Sequence, residues 1–164
     1  ELCKCQALFT KFGGHRQAAG VSLKEENVQR FRETINSLCT LTEEDLQMKV
    51  YIDMQVPFPY LTEDLIERFQ VMEPFGKGNK RPLFAEKDLK VIQPKIVGKN
   101  ENVLQCILED KQGNRMKAVY FGDVKTCLKE MLAGKVTAVT YFPSINEYMG
   151  RRSIQLTIVN YQKK

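Results

Sequence analysis

The stretch Arg115–Ser144, RMKAVYFGDVKTCLKEMLAGKVTAVTYFPS, decides the fold. Residues 115–122 are strand-like, residues 123–132 read as a helix stopped by Gly134, and residues 135–144 return to strand composition. Working outward, residues 89–97 and 103–110 are two earlier strands. The turn DKQGN (110–114) joins the second of them to residues 115–122 as a hairpin. A last strand over 153–162 follows the segment INEYMGRR (145–152). Three strands, one helix and two strands are the element order of an OB-fold barrel.

The first half of the chain reads differently. Residues 2–11 are expected to be the tail of a helix stopped by Gly13-Gly14, and residues 18–23 a short buried strand. A helix then starts at Ser22, with Val28, Phe31, Ile35 and Leu38 on one face. In MKVYIDMQV (48–56), Met48, Val50, Ile52 and Met54 alternate with polar neighbours, the pattern of a half-buried strand. Thr62 is placed to cap a second helix over 62–72. Two prolines and two glycines in EPFGKGNKRP (73–82) mark a hinge loop and the expected domain boundary. The glycines there lack the pattern and the strand-to-helix setting of a P-loop.

The net charge of +5 is unevenly spread. Residues 1–82 carry 11 Lys/Arg against 12 Asp/Glu and residues 83–164 carry 14 against 8, so the β-rich half is the basic one. Such asymmetry points to a polyanion partner for that half. The five cysteines lack zinc-ribbon spacing and there is a single histidine, so reduced thiols in a cytoplasmic protein are expected, with no metal bound by this chain. No apolar run is long enough to span a membrane. The chain opens ELCKC, without Met, which suggests a piece excised from a longer polypeptide.

Three motifs carry a family resemblance. FGGHRQAAG (12–20) resembles the G-G-H-x-x-A-A-G motif of the DHHA1 domain in DHH-superfamily phosphoesterases. MEPFGKGNKRPLFA (72–85) resembles the L-E-P-F-G-x-G-N-P-x-P-x-F junction of RecJ-type single-strand-specific exonucleases, with Lys80 where that family often has Pro. SINEYMGRRSIQL (144–156) resembles the N-x-(W/Y)-x-G-x-x-x-x-Q-L signature near the end of the RecJ OB fold. The resemblance implies an α+β chain in three parts: the C-terminal part of DHHA1 (1–47), a connector strand, helix and hinge (48–82), and a five-stranded OB barrel with one helix (83–164). It implies a 5′ to 3′ exonuclease of recombination and repair that uses manganese or magnesium held by a preceding domain. The D-H-H motif of that domain is not in this sequence, so the chain alone is expected to be inactive and to hold no catalytic residue. Single-stranded DNA is the implied partner, with single-stranded-DNA-binding protein as a further candidate and a monomeric state. A non-catalytic DHH-type scaffold or OB interaction module is the competing reading.

The site candidates divide by half. Gly13 and Gly14 allow backbone N–H groups to approach an anion, and His15 and Arg16 can donate to phosphate oxygens. On the residues alone the stretch reads better as a helix end capped by His15, and it is the resemblance that implies substrate phosphate. In the barrel, Lys95, Lys99, Arg115, Lys117, Tyr120, Asn146, Tyr148, Arg151 and Arg152 mix cations with aromatics, as single-stranded nucleic acid requires. Of the neighbours Tyr120 and Phe121, alternation sends one into the core, and Phe142 is expected there as well.

Overall fold

The computed structural model describes residues 2–15, 18–47 and 49–164; Arg16 of the expected phosphate site and Met48 of the expected strand lie outside the described residues. The chain divides into two compact units, Glu1–Lys49 and Val50–Lys164.

In the first unit a 3-10 helix, Leu2–Leu8, leads into β1 (Phe9–His15), which pairs antiparallel with β2 (Ala18–Leu23). The expected helix tail therefore ends at Leu8, and Gly13-Gly14 stop nothing: they sit inside β1. Phe9, Thr10 and Phe12 favour the extended chain, and Phe9 packs edge-on against Phe31 with ring centroids 5.3 Å apart. Phe31 lies on α1 (Val28–Ser37), which begins after a 3-10 turn at Glu25–Asn27 and not at Ser22. A short α2 (Glu43–Leu46) closes the unit, its Thr42 and Asp45 capping each other's backbone N–H groups.

In the second unit β3 (Met54–Gln55) runs parallel to β4 (Phe84–Lys87). Between them lie a 3-10 turn at Phe58–Tyr60 and α3 (Glu63–Gln70), whose Leu65 N–H donates to the Thr62 hydroxyl at 3.2 Å. The barrel strands follow: β5 (Lys90–Val97), β6 (Val103–Glu109), β7 (Arg115–Tyr120), α4 (Val124–Leu132), β8 (Val136–Tyr148) and β9 (Arg151–Lys163). The sheet order is β3-β4-β8-β9-β7-β6-β5, with β7 and β9 parallel and the other barrel pairs antiparallel. A bond from Leu89 N to Thr137 O, 3.1 Å, draws the start of β5 towards β8. The expected strand–strand–strand–helix–strand–strand order is therefore present, extended at one edge by β3 and β4.

Three differences from the sequence reading matter. The alternating segment 48–56 forms only the two-residue β3 at the sheet edge. No strand covers its outer side among the described residues, and Val50, Ile52 and Met54 stay exposed. The apolar periodicity is satisfied later, by the buried Val56 and Phe58. Second, the boundary expected at 73–82 falls inside the second unit, because Val56, Phe58, Leu61 and Phe69 pack with Phe84 and Tyr141 of the barrel. Third, INEYMGRR is not a loop: the β8–β9 ladder runs to the pair Tyr148–Arg151, leaving Met149 and Gly150, both at positive φ, as a two-residue hairpin turn.

The EPFGKGNKRP segment is likewise no open hinge. Asn79 folds it on itself, donating through Nδ2 to the carbonyls of Met72 (2.7 Å) and Pro74 (3.0 Å). Its backbone also bridges Gly76 and Asn79 in both directions. Arg81 ties the loop to β8 by donating to the Pro143 carbonyl at 3.1 Å.

Tyr141 is the centre of the packing. It is fully buried, with Phe58 and Phe84 at ring distances of 6.4 and 6.2 Å, and its hydroxyl donates to the Val56 carbonyl at 3.1 Å. Desolvation, reinforced by the Glu86 carboxylate, pushes its phenol well above the ordinary tyrosine range, so the hydroxyl remains a donor. Replacing it by Phe strands the Val56 carbonyl, and urea unfolding of the Tyr141→Phe chain should show a loss of about 1–3 kcal/mol. Tyr141→Ala, which also empties the ring's volume, should cost more, about 3–5 kcal/mol.

Candidate nucleic-acid interface

The barrel strands alternate inward and outward, so the ladder registers dictate which side chains share the outer face. Leu104, Cys106 and Leu108 of β6, Ala118 of β7 and Leu156 and Ile158 of β9 point into the core. Their neighbours line up across the sheet. One row is Phe142, Thr157, Val119, Gln105 and Lys95, and the next is Ser144, Gln155, Lys117, Ile107 and Ile92. Beyond these, Asn146 faces Ser153, and Tyr148 faces Arg151 at the hairpin tip.

This arrangement opens a polar groove of about 440 Å³ whose walls include Gln105, Lys117, Asn146, Tyr148, Arg151 and Gln155. Five of the expected contacts, Lys117, Asn146, Tyr148, Arg151 and Arg152, thus line one groove, and Tyr148 is 71% exposed. Lys95 is exposed at the β5 end of the Gln105 row, and Lys99 is exposed in the loop between β5 and β6.

Three expected contacts behave differently. Tyr120 points inward: it faces Leu104, and its ring meets Tyr161 edge-on at 5.8 Å. Gly122 follows because a Cβ there would lie 2.2 Å from the Tyr120 hydroxyl. The outward aromatic of that pair is Phe121, in alternation with Lys117 and Val119, and it is 59% exposed. Counting in twos from Lys117 would have found it. Arg115 is opposite Glu109 and bonds its carboxylate at 2.6 Å, so its charge is already answered. Arg152 turns to α3, where Glu67 accepts a hydrogen bond from it and Glu63 lies 3.4 Å away; the two carboxylates hold its proton more firmly still. Phe142, expected in the core, is on the outer face, with the Arg81 guanidinium 5.0 Å from its ring centre.

The first unit presents a separate candidate. Gly13 and Gly14 face Gly20 and Ala19 in the β1–β2 ladder, and neither has a positive φ, so they do not form the anion-binding nest expected of them. Gly14 is required by packing instead: a Cβ would sit 2.4 Å from the Ala19 Cα. His15, paired with Ala18, is exposed at the end of the ladder. Among the described residues there is no group of three or more His, Cys, Asp and Glu side chains placed to hold a metal ion. The buried thiols of Cys106 and Cys127 are pushed up to about 12 and about 11, chiefly by desolvation, and stay protonated. Among the described residues no helix is long and apolar enough to cross a membrane.

The family model described as RecJ OB domain matches residues 52–160. The chain belongs to the RecJ OB domain family. That span starts before β3 and ends in β9, so the family unit includes the connector as well as the barrel. The chain is 31% identical over 153 residues to the single-stranded-DNA-specific exonuclease RecJ of Haemophilus influenzae, covering 92% of this chain and 26% of that protein. It is 28% identical over 160 residues to the RecJ of Bacillus subtilis, covering 96% and 20%. Its fold matches the crystal structure of Thermus thermophilus RecJ in complex with Mn²⁺, with a TM-score of 0.72 and 20% identity over 99% of this chain and 23% of that one. The structure of the same protein with Mg²⁺ gives 0.70 and 19%. The chain spans about a quarter of the length of these relatives.

The pairing pattern separates the cations by use. Alanine at Lys117 or Arg151, whose charges have no carboxylate partner among the described residues, should weaken oligonucleotide binding several-fold in a fluorescence-anisotropy titration. Alanine at Arg115, already paired with Glu109, should change it much less, and Arg152→Ala should lower thermal stability more than affinity.

Proposed function

We propose that this chain is the strand-holding part of a RecJ-like exonuclease that degrades single-stranded DNA from the 5′ end in recombination and repair. The observation that carries the reading is the outer face of the barrel. Among the described residues Lys95, Lys117 and Arg151 there, and Lys99 in the β5–β6 loop, have no carboxylate partner, and the amides of Gln105, Asn146 and Gln155 and the ring of Tyr148 share the face. Cations follow a phosphate backbone while exposed aromatics take unpaired bases. The names of the relatives, single-stranded-DNA-specific exonucleases, agree with that chemistry. In this reading the first unit is the end of a DHHA1 domain, and His15, at the end of β1, donates to the substrate phosphate, with Arg16 as its partner in the motif. Hydrolysis itself belongs to a preceding domain whose manganese or magnesium activates the attacking water, and the enzyme works in the cytoplasm as a monomer.

Four unpaired cations make the reading quantitative. For a single strand, log affinity should fall against log salt with a slope of about −3, roughly 0.7 per phosphate neutralised. Lys117→Ala should make the slope shallower by about 0.7. The 164-residue chain should release no nucleotides in the presence of manganese. A salt-independent affinity, or no binding in dilute buffer, favours an interaction module for protein partners instead.

A further inference from the structure

The outer face has an apolar corner at the end opposite Tyr148. Val97 faces Val103 at the last β5–β6 pair, and because Leu104 faces Tyr120, Val103 is the outward neighbour of Phe121. On β9, Thr140 faces Asn160 and Tyr141 faces Ile158, which leaves Val159, next after the partner of Tyr120, bulged out of the ladder and 38% exposed. Phe121, at 59% exposure, continues the outward row of β7 just past the ladder's last pair, on the Val103 side of this corner. Its neighbours are committed to the other side: Tyr120 is held inward against Tyr161, and a Cβ at Gly122 would meet the Tyr120 hydroxyl. The loop leaving Val97 carries the exposed Lys99, and Lys95 lies two residues before Val97.

An exposed aromatic on an aliphatic base, continuous with an unpaired cationic groove, fits a planar ring whose backbone is anionic. We propose that Phe121 is a second base-stacking station for single-stranded nucleic acid, so that the strand is held at two rings, Phe121 and Tyr148. The proposal rests on the strand-holding reading of the face. Lys117 and Ser144 both sit opposite Gln155, and each ring is four residues from that row in opposite senses. The rings are therefore about 26 Å apart along the strands and about 10 Å across them. A strand must be long enough to bridge that span before both stations contribute, which gives the site a length threshold within the ~4–16 nucleotides an OB fold accommodates.

The test titrates the 164-residue chain with oligothymidylates of graded length at low salt, in parent, Phe121→Ala, Phe121→Trp and Tyr148→Ala forms. The parent should gain affinity steeply once the oligonucleotide spans both rings. Phe121→Ala should lose that gain, binding a 12-mer about tenfold more weakly, within the range seen when one stacked base is lost. Phe121→Trp should restore it, which a merely misfolded corner would not. Phe121→Ala binding every length as the parent does overturns the proposal while leaving the groove's role intact. Parent protein that binds no oligonucleotide of any length overturns the reading of the face itself. Phe121→Ala that keeps oligonucleotide binding but loses self-association in sedimentation makes the corner a protein contact and also overturns the proposal.

Discussion

The functional face depends on one constraint, the parallel ladder between β7 and β9. It cannot be made by a hairpin: a crossover must intervene, and here α4 and β8 supply it. Once Lys117 is set opposite Gln155 and Ala118 opposite Leu156, period-two alternation decides every other position on the two strands. A slip of one residue would send Lys117 into the core and Leu156 into water, so burial of Leu156 and Ile158 holds the register. The same ladder fixes β8 through β9 and β6 through β7, and so brings Asn146 and Tyr148 to the side that carries Gln105 and Lys95.

A second level of selection is electrostatic. Arginines are the strongest phosphate ligands in principle, yet two of the three near the groove are engaged by carboxylates and a fourth arginine, Arg81, caps Phe142. What remains free is mostly lysine. Pairing Arg152 to α3 and Arg81 to Pro143 uses cations to bind the connector to the barrel, so the basic character of this half serves both cohesion and ligand binding. Counting charges along the chain cannot separate the two uses, because the partners lie up to 85 residues away in sequence.

Much of the barrel was legible because its signals are local. The strand order, α4 and the β6–β7 hairpin follow from alternation and turn chemistry, and the three family motifs point to the family that the model for residues 52–160 then matched. The misreadings have non-local causes. Tyr120 and Phe121 are equivalent to any local rule, and only pairing with Leu104 turns the tyrosine inward. Phe142 was expected in the core, but the buried aromatic is its neighbour Tyr141, selected by the acceptor at Val56. The apolar alternation of 48–54 reads as a half-buried strand, whereas the sheet ends there and leaves Val50, Ile52 and Met54 exposed. Gly13-Gly14 resembled a helix stop or a nest, and the close approach of Ala19 shows why a strand pair also needs glycine.

The central claim, that the outer barrel face holds the strand, is tested most directly by amide chemical-shift mapping of the chain with an unlabelled oligothymidylate. The account predicts perturbations running along the face from Val103 and Lys117 to Asn146, Tyr148 and Arg151, with α3 and α4 unaffected. Perturbations confined to α4, to α3 or to the first unit would contradict it.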